Sequence, residues 1–415
     1  KPIRFCMITT FYPPYSFGGD AVFVQNLARA LARRGHEVEV IHCRDSYRAL
    51  ARGAPPPGGT DESGVTVHGL ESGVGVLSPL ATQQTGRPLF KTRQIQRILS
   101  AKRFDVIHFH NISLVGGPGI LRYGDAIKLY TLHEHWLICP THVLFKFQRA
   151  VCTEKECFRC QLSYHRPPQL WRYAGLMKKS LRHVDAFIAP SEFTRQRHLD
   201  EYPDLPIVHL PLFLSAPTER AEVPALPTRP FFLFAGRLEK LKGLQTIIPA
   251  IRKSSGFDLV IAGDGDYADE LKRLAGDCER IHFLGRLTQA QLQTAYEHAI
   301  ALLLPTVGIE VFGIVLLESF AARTPVIVRD LGPLPGIVAE SGGGLVFRDD
   351  VSLLAAMERL RSNSTLRDNL GAAGHEAWRT RWSEDAHLEH YFRLIGEIHA
   401  RKLESASLSA GSAVR

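Results

Sequence analysis

The sequence predicts an α/β protein made of two Rossmann-like domains, each with a parallel sheet. Three observations carry that expectation. The chain has 415 residues, more than a single hydrophobic core usually serves. Short, continuous apolar runs alternate with longer amphipathic segments, once up to residue 210 and again from residue 230. Runs of that kind read as strands buried on both faces, as in a parallel sheet covered by helices. Between the two series, residues 211–229 carry four prolines among small and charged residues and read as a linker.

In the first series, "IRFCMITT" (Ile3–Thr10) is a buried strand. "AVFVQNLARALARRG" (Ala21–Gly35) follows as a helix, with apolar residues at helical spacing and a glycine to close it. Further strands are expected at His36–Cys43, Val65–Leu70, Asp105–His110, Ile127–Leu132 and Val184–Pro190, and a proline- and glycine-rich loop at Ala51–Gly59. The second series places strands at Pro230–Gly236, Phe257–Gly263, Arg280–Gly285, Ala299–Pro305, Pro325–Asp330 and Gly343–Phe347. The expected division is a first domain over 1–210, the linker, a second domain over 230–384, a C-terminal helix over 385–403 and a small, polar, disordered tail over 404–415. In such sheets ligands gather beyond the carboxyl ends of the strands, so the two domains are expected to face a cleft.

Apolar residues make up 45% of the chain and charged residues 22%, ordinary values for a soluble globular protein. No apolar run reaches membrane-spanning length, and the first residues lack a signal peptide's apolar core. A cytoplasmic protein is expected. The formal net charge of +8 suits anionic partners without choosing among them. The densest basic segment, "KTRQIQRILSAKR" (Lys91–Arg103), reads either as a solvated helix face or as a contact with anionic membrane at its inner face.

Two carboxylates bracket an apolar run in "GIEVFGIVLLE", Gly308–Glu318. Glu310 falls in the loop after a strand, and Glu318 in the second turn of a helix starting near Gly313. A helix start offers unpaired N–H groups to an anion, and flanking carboxylates can accept bonds from sugar hydroxyls. Two solvated acids near a helix dipole fit the same spacing. Upstream, "FAGRLEKLKG" ends a strand at Gly236 and then sets Arg237 and Lys242 before a helix, which suits a diphosphate. Two exposed basic residues in a loop are the plain alternative.

Taken together, "GRLEKLKG", "IAGDGDYADELK", "IHFLGRL", "LLLPTVGIEVFGIVLLESFAARTPVIV" and "GGGLVF", in this order, resemble the GT4-type retaining glycosyltransferases of GT-B fold. The resemblance implies a retaining transfer of a hexosyl group from a nucleotide-diphosphate sugar, a UDP- or GDP-sugar, to an acceptor hydroxyl on a glycan, lipid or small molecule. It implies no catalytic metal, a part in glycan biosynthesis and no nucleic-acid partner. Arg237 and Lys242 would hold the diphosphate and Glu318 the ribose. Glu310, with the backbone around Val311, Phe312, Gly313 and Ile314, would contact the donor sugar. Gly236 and Gly263 would line the donor site, and Arg286 and Leu287 would border the base. In the first domain, Gly18 and Gly19 match the family's glycine loop. His133 in "YTLHEHWLICP" matches the histidine that contacts the donor sugar near the reacting carbon; His135 is a second candidate, and His108 and His110 share one strand face. The resemblance also implies that the C-terminal helix packs back on the first domain. Arg323 stands where the family commonly has glycine. A nucleotide-sugar epimerase and a non-catalytic nucleotide-sugar sensor would use a similar donor site.

The motif "GDGDYA" (Gly263–Ala268) fits a loose dinucleotide pattern, but Asp264 and Asp266 would repel a pyrophosphate there. Four cysteines, Cys139, Cys152, Cys157 and Cys160, lie within one short stretch, the last pair as C-x-x-C. Four thiolates so close can form a structural zinc site; free thiols and a disulfide are the alternatives.

Overall fold

The computed structural model describes residues 2–51, 64–217 and 219–412; the loop expected at Ala51–Gly59 lies, past residue 51, outside the described residues. The chain divides into two compact units. The first comprises residues 1–142, 156–210 and 388–415, and the second residues 143–155 and 211–387.

The fold is built on its strands, taken in chain order. Up to residue 210 they are β1 (Arg4–Ile8), β2 (Glu37–Cys43), β3 (Val65–Leu70), β4 (Val106–Phe109), β5 (Ile127–Thr131), β6 (Phe145–Lys146), β7 (Ala150–Val151), β8 (Ala186–Ala189) and β9 (Ile207–His209). Seven of them form an all-parallel sheet in the order β3-β2-β1-β4-β5-β8-β9. Phe5, Cys6, Met7 and Ile8 of β1 are wholly buried, as the continuous apolar run requires of a central strand. The helix Gly19–Arg33 returns the chain from β1 to β2. It buries Phe23, Val24, Leu27, Ala28 and Leu31, the helical repeat read from the sequence, and the chain turns at Gly35 with φ +81°.

The second unit holds the antiparallel pair β6–β7 and a six-stranded parallel sheet. Its strands are β10 (Phe231–Ala235), β11 (Asp258–Ala262), β12 (Ile281–Gly285), β13 (Leu302–Leu304), β14 (Val326–Arg329) and β15 (Gly344–Phe347), in the order β12-β11-β10-β13-β14-β15. Both large sheets therefore reverse direction beside their first strand: β1 lies between β2 and β4, and β10 between β11 and β13. Crossovers on the two sides of that strand leave on opposite faces, so the loops after β1 and β4, and after β10 and β13, part to open a crevice.

Among the described residues of 210–230 there is no regular element; Leu214 N–H donates to Trp382 O at 3.0 Å. The last helix runs Glu384–Ser412. It therefore continues through most of the segment expected to be disordered from Glu404. Residues 404–410 contain no glycine or proline to end it, and alanine and leucine favour its extension. From Leu388 this helix belongs to the first unit: Tyr391 is wholly buried, stacks on Phe5 and hydrogen-bonds His108 Nδ1 at 2.9 Å, and Lys402 pairs with Asp185 at 2.7 Å. Arg323 adopts φ +59°, the left-handed conformation in which glycine carries no steric cost.

Candidate functional site

In the second unit the site residues gather where β10 and β13 end. β10 leads into Gly236 and Arg237, then a short turn at Lys240–Lys242 and the helix Leu244–Lys253. The loop after β13 is tied to that turn through one carbonyl. Leu241 O accepts from the Val307 N–H at 2.9 Å, the Gly308 N–H at 3.1 Å and the Thr306 hydroxyl at 2.9 Å. Gly243 makes the approach feasible. It has φ +78°, and a Cβ there would lie 2.0 Å from Pro305 O. The same carbonyl accepts from Arg329 Nε at 3.0 Å, while Arg329 Nη2 donates to Thr246 Oγ1 at 2.6 Å.

This stitching brings Lys242 Nζ to 2.7 Å from Glu310 Oε1, both side chains being partly exposed. Burial opposes the charge on Lys242, but the Glu310 carboxylate outweighs it, and the Lys242 pKa is raised above its ordinary value. Arg237 is exposed and pairs with Glu239. The helix Ile314–Ala321 starts after Gly313, which has φ +91°, and no side chain caps it. Its first N–H groups are thus available to an anion. Phe312 is buried edge-on against Trp382, with ring centroids 6.3 Å apart.

Glu318 lies in the second turn and is half-buried. Its Oε2 accepts from the Tyr296 hydroxyl at 2.7 Å. Burial raises its pKa, against the lowering effect of bonds from Tyr296 and Gln289. Gly263 has a packing reason to be glycine: its Cβ would lie 1.9 Å from Gly236 O, and its N–H donates to Gly285 O at 2.7 Å. The ends of β10, β11 and β12 are thereby held together. Arg286 follows as an exposed side chain, Leu287 as a half-buried one, and Thr288 caps the next helix.

In the first unit, Gly18 is the N-cap of the helix Gly19–Arg33 and has extended backbone; Gly19 is exposed. Asp20 accepts from Asn111 Nδ2 at 3.4 Å. His133 follows β5 and stands beside His110, which follows β4; His133 Nε2 and His110 Nδ1 are 2.9 Å apart. Burial lowers the His133 pKa to about 4, against the pull of Asp20, and takes His110 well below the ordinary histidine value. Glu134 accepts from His142 Nδ1 at 2.7 Å and from Asn111 Nδ2 at 3.4 Å. His135, the second histidine candidate, is buried and stacks on His198.

The four cysteines form no disulfide. Among the described residues no group of three or more His, Cys, Asp or Glu side chains is placed to hold a metal. Cys152 belongs to the segment 143–155 of the second unit, whereas Cys139, Cys157 and Cys160 belong to the first, and Cys139 Sγ instead meets Thr141 Oγ1 at 3.3 Å. The zinc expectation finds no ligand set here.

Sequence reasoning did not pick out Tyr296, Arg329, Asp20, Asn111 or Glu134. The signal for Tyr296 was faint: a hydroxyl on a helix flanked by apolar strands must find a partner when buried. Arg329 carried a clearer one, a cation closing an otherwise apolar strand.

Comparison with known proteins identifies the family. Residues 17–214 match the model of glycosyltransferase family 4, and residues 215–377 that of glycosyl transferases group 1. The D-inositol 3-phosphate glycosyltransferase of Mycolicibacterium smegmatis is 26% identical over 431 aligned residues, covering 95% of this chain and 90% of its own. Sucrose-phosphate synthase from Thermosynechococcus elongatus has a similar fold, with TM-score 0.74 at 18% identity over 96% of this chain and 100% of that one. Anabaena HepE, solved in complex with UDP-glucose, has TM-score 0.61 at 14% identity over 98% and 99% of the two chains. With two Rossmann-like units and two contiguous family matches running from residue 17 to residue 377, the chain belongs to the GT4-type, group 1 glycosyltransferases of GT-B fold.

Proposed function

We propose that the protein transfers a hexosyl group from a nucleotide-diphosphate sugar, a UDP- or GDP-sugar, to an acceptor hydroxyl with retention of configuration. The observation that carries this reading is the Lys242–Glu310 pair beside an uncapped helix start at the switch point of the second sheet. A diphosphate there meets the Lys242 ammonium, the Arg237 guanidinium and the N–H groups after Gly313. These groups offset the charge that grows as the diphosphate departs, the task a metal ion performs in other transferases. Glu310 accepts bonds from hydroxyls of the donor sugar and Glu318 from those of the ribose, while Tyr296 holds the Glu318 carboxylate in place. His133 contacts the sugar. The acceptor attacks from the face the diphosphate leaves. That HepE, which has a similar fold, was solved with UDP-glucose supports a nucleotide sugar as donor.

A thermal-shift screen across UDP- and GDP-sugars tests the donor assignment, because a ligand bound only by the native state stabilises it. One donor series is expected to raise the unfolding temperature, and its nucleotide diphosphate to do so in part. A flat response to every nucleotide sugar contradicts the assignment.

We further propose that the first unit docks on anionic membrane. Most of the exposed large hydrophobic side chains among the described residues fall in two segments, including Val76, Leu77 and Phe90 in one and Leu162, Leu170 and Tyr173 in the other. Trp171 Nε1 donates to Gln83 O at 2.8 Å, so the two segments adjoin. Residues 72–104 and 157–184 contain no acidic residue, while Arg87, Arg93, Arg166 and Lys178 are exposed. Apolar side chains within a cationic surface suit a bilayer bearing anionic headgroups. Sedimentation with vesicles is expected to capture the protein on phosphatidylglycerol-containing membrane and not on pure phosphatidylcholine, with release by salt. Equal partition, or none to either vesicle, contradicts the docking.

A further inference from the structure

The His110–His133 contact has a chemical consequence that depends on where its proton lies. His110 is 1% exposed, and its Nε2 is enclosed with no partner among the described residues. Its Nδ1 faces His133 Nε2 at 2.9 Å. The neighbouring His108 cannot relieve it through a known bond: its ring nitrogens are engaged by Tyr391 Oη at 2.9 Å and Thr131 Oγ1 at 2.8 Å. His133 Nδ1 has no partner among the described residues and, unlike His110 Nε2, is not enclosed.

Two neutral arrangements satisfy the contact. In one, His133 Nε2–H donates to His110 Nδ1. His110 must then carry its own proton on Nε2, where it becomes a buried N–H with no acceptor. In the other, His110 Nδ1–H donates to His133 Nε2. His110 Nε2 is then only an unused lone pair, and His133 carries its proton on Nδ1. A buried N–H without an acceptor is rarer and costlier than a buried acceptor without a donor, so the second arrangement prevails. Protonating either ring would place a cation among three adjacent imidazoles, His108 and His110 having ring centroids 4.0 Å apart.

We propose that His110 is a positioning residue that fixes His133 in the Nδ1–H tautomer, so that His133 offers the donor sugar a hydrogen-bond donor rather than a base. The use of that donor rests on the transferase reading above; the tautomer itself does not. His133 Nδ1–H then binds a sugar oxygen, and the nitrogen facing the ligand has no lone pair with which to take the acceptor's proton. The role of the ring is orientation and polarisation of the sugar.

Nitrogen-15 NMR of histidine-labelled, ligand-free protein tests this directly, the His133 resonances being assigned by their loss in His133→Gln. The expected spectrum shows His133 protonated at Nδ1 and bare at Nε2. His110→Asn, whose amide can still donate, is expected to keep that state and to turn over the donor within a few-fold of the parent. His110→Asp places an acceptor opposite Nε2. It is expected to draw the proton to Nε2 and to slow donor turnover by about tenfold or more. A wild-type proton on Nε2, or an Nδ1–H that persists in His110→Asp, overturns the proposal. The wild-type spectrum, once assigned, decides even if neither His110 variant folds. The correct tautomer in a protein that turns over no nucleotide sugar supports this proposal and counts against the transferase reading alone.

Discussion

Replacing Glu310 with alanine is expected to lower transfer by about 10²–10³-fold while nucleotide affinity stays within a few-fold. The reason lies in which part of the donor each group holds. On the proposed reading Lys242, Arg237 and the helix start after Gly313 serve the diphosphate, and Glu318 serves the ribose; none of these is removed. On the same reading Glu310 serves the sugar, whose orientation matters most as the glycosidic bond breaks. The variant also deprives Lys242 of the carboxylate that keeps its pKa raised, leaving burial free to lower it. The diphosphate's own charge compensates once donor is bound. Glu310→Gln keeps hydrogen bonding without the charge and is expected to fall between the two. Steady-state turnover beside calorimetric titration of the nucleotide diphosphate checks the split. Unchanged turnover in Glu310→Ala removes the assigned role.

The second large effect is steric. Gly243→Ala is expected to destabilise the second unit by roughly 2–4 kcal/mol and to abolish transfer, because strain and overpacking act together. The added Cβ would lie 2.0 Å from Pro305 O and 2.7 Å from Pro305 C, in a backbone with φ +78°. Relief requires moving the turn that carries Lys242 away from the loop that carries Glu310. Gly336→Ala is the control: it lies within the helix Leu334–Ser341, a Cβ there meets nothing within 4 Å, and its stability is expected to hold or rise slightly. Thermal unfolding of the two variants beside the parent distinguishes a local collision from a general intolerance of substitution. Equal stability of Gly243→Ala and the parent contradicts this account of how the pair is assembled.

Much of the fold was legible because buried parallel strands are written as continuous apolar runs. "PFFLFAG" and "FDLVIAG" contain β10 and β11, each end trimmed by one residue. The helix start at Gly313, and Glu318 in its second turn, also followed from local pattern. What was not legible is what depends on contacts distant in sequence. Nothing near Glu318 announces Tyr296, and nothing near Lys242 announces that Leu241 O would gather three donors from the loop after β13. The enclosed His110 could be placed on a strand face from period-two alternation, but its neighbour across the sheet could not. For the cysteine stretch the signal was proximity in sequence alone, and Cys152 falls in residues 143–155, which belong to the second unit. The residues beyond Glu404 are small and polar, which reads as disorder, yet they also suit continuation of the helix that begins at Glu384.

The account stands most directly on what the purified protein does with the nucleotide sugar that stabilises it. Incubated with that donor and a panel of glycan, lipid-linked and small-molecule acceptors, it is expected to release the nucleoside diphosphate only in step with an acceptor. Proton NMR of the product is expected to show the anomeric configuration of the donor retained. Conversion of the donor to an epimer without any acceptor, an inverted product, or a donor that binds and is never consumed would contradict it.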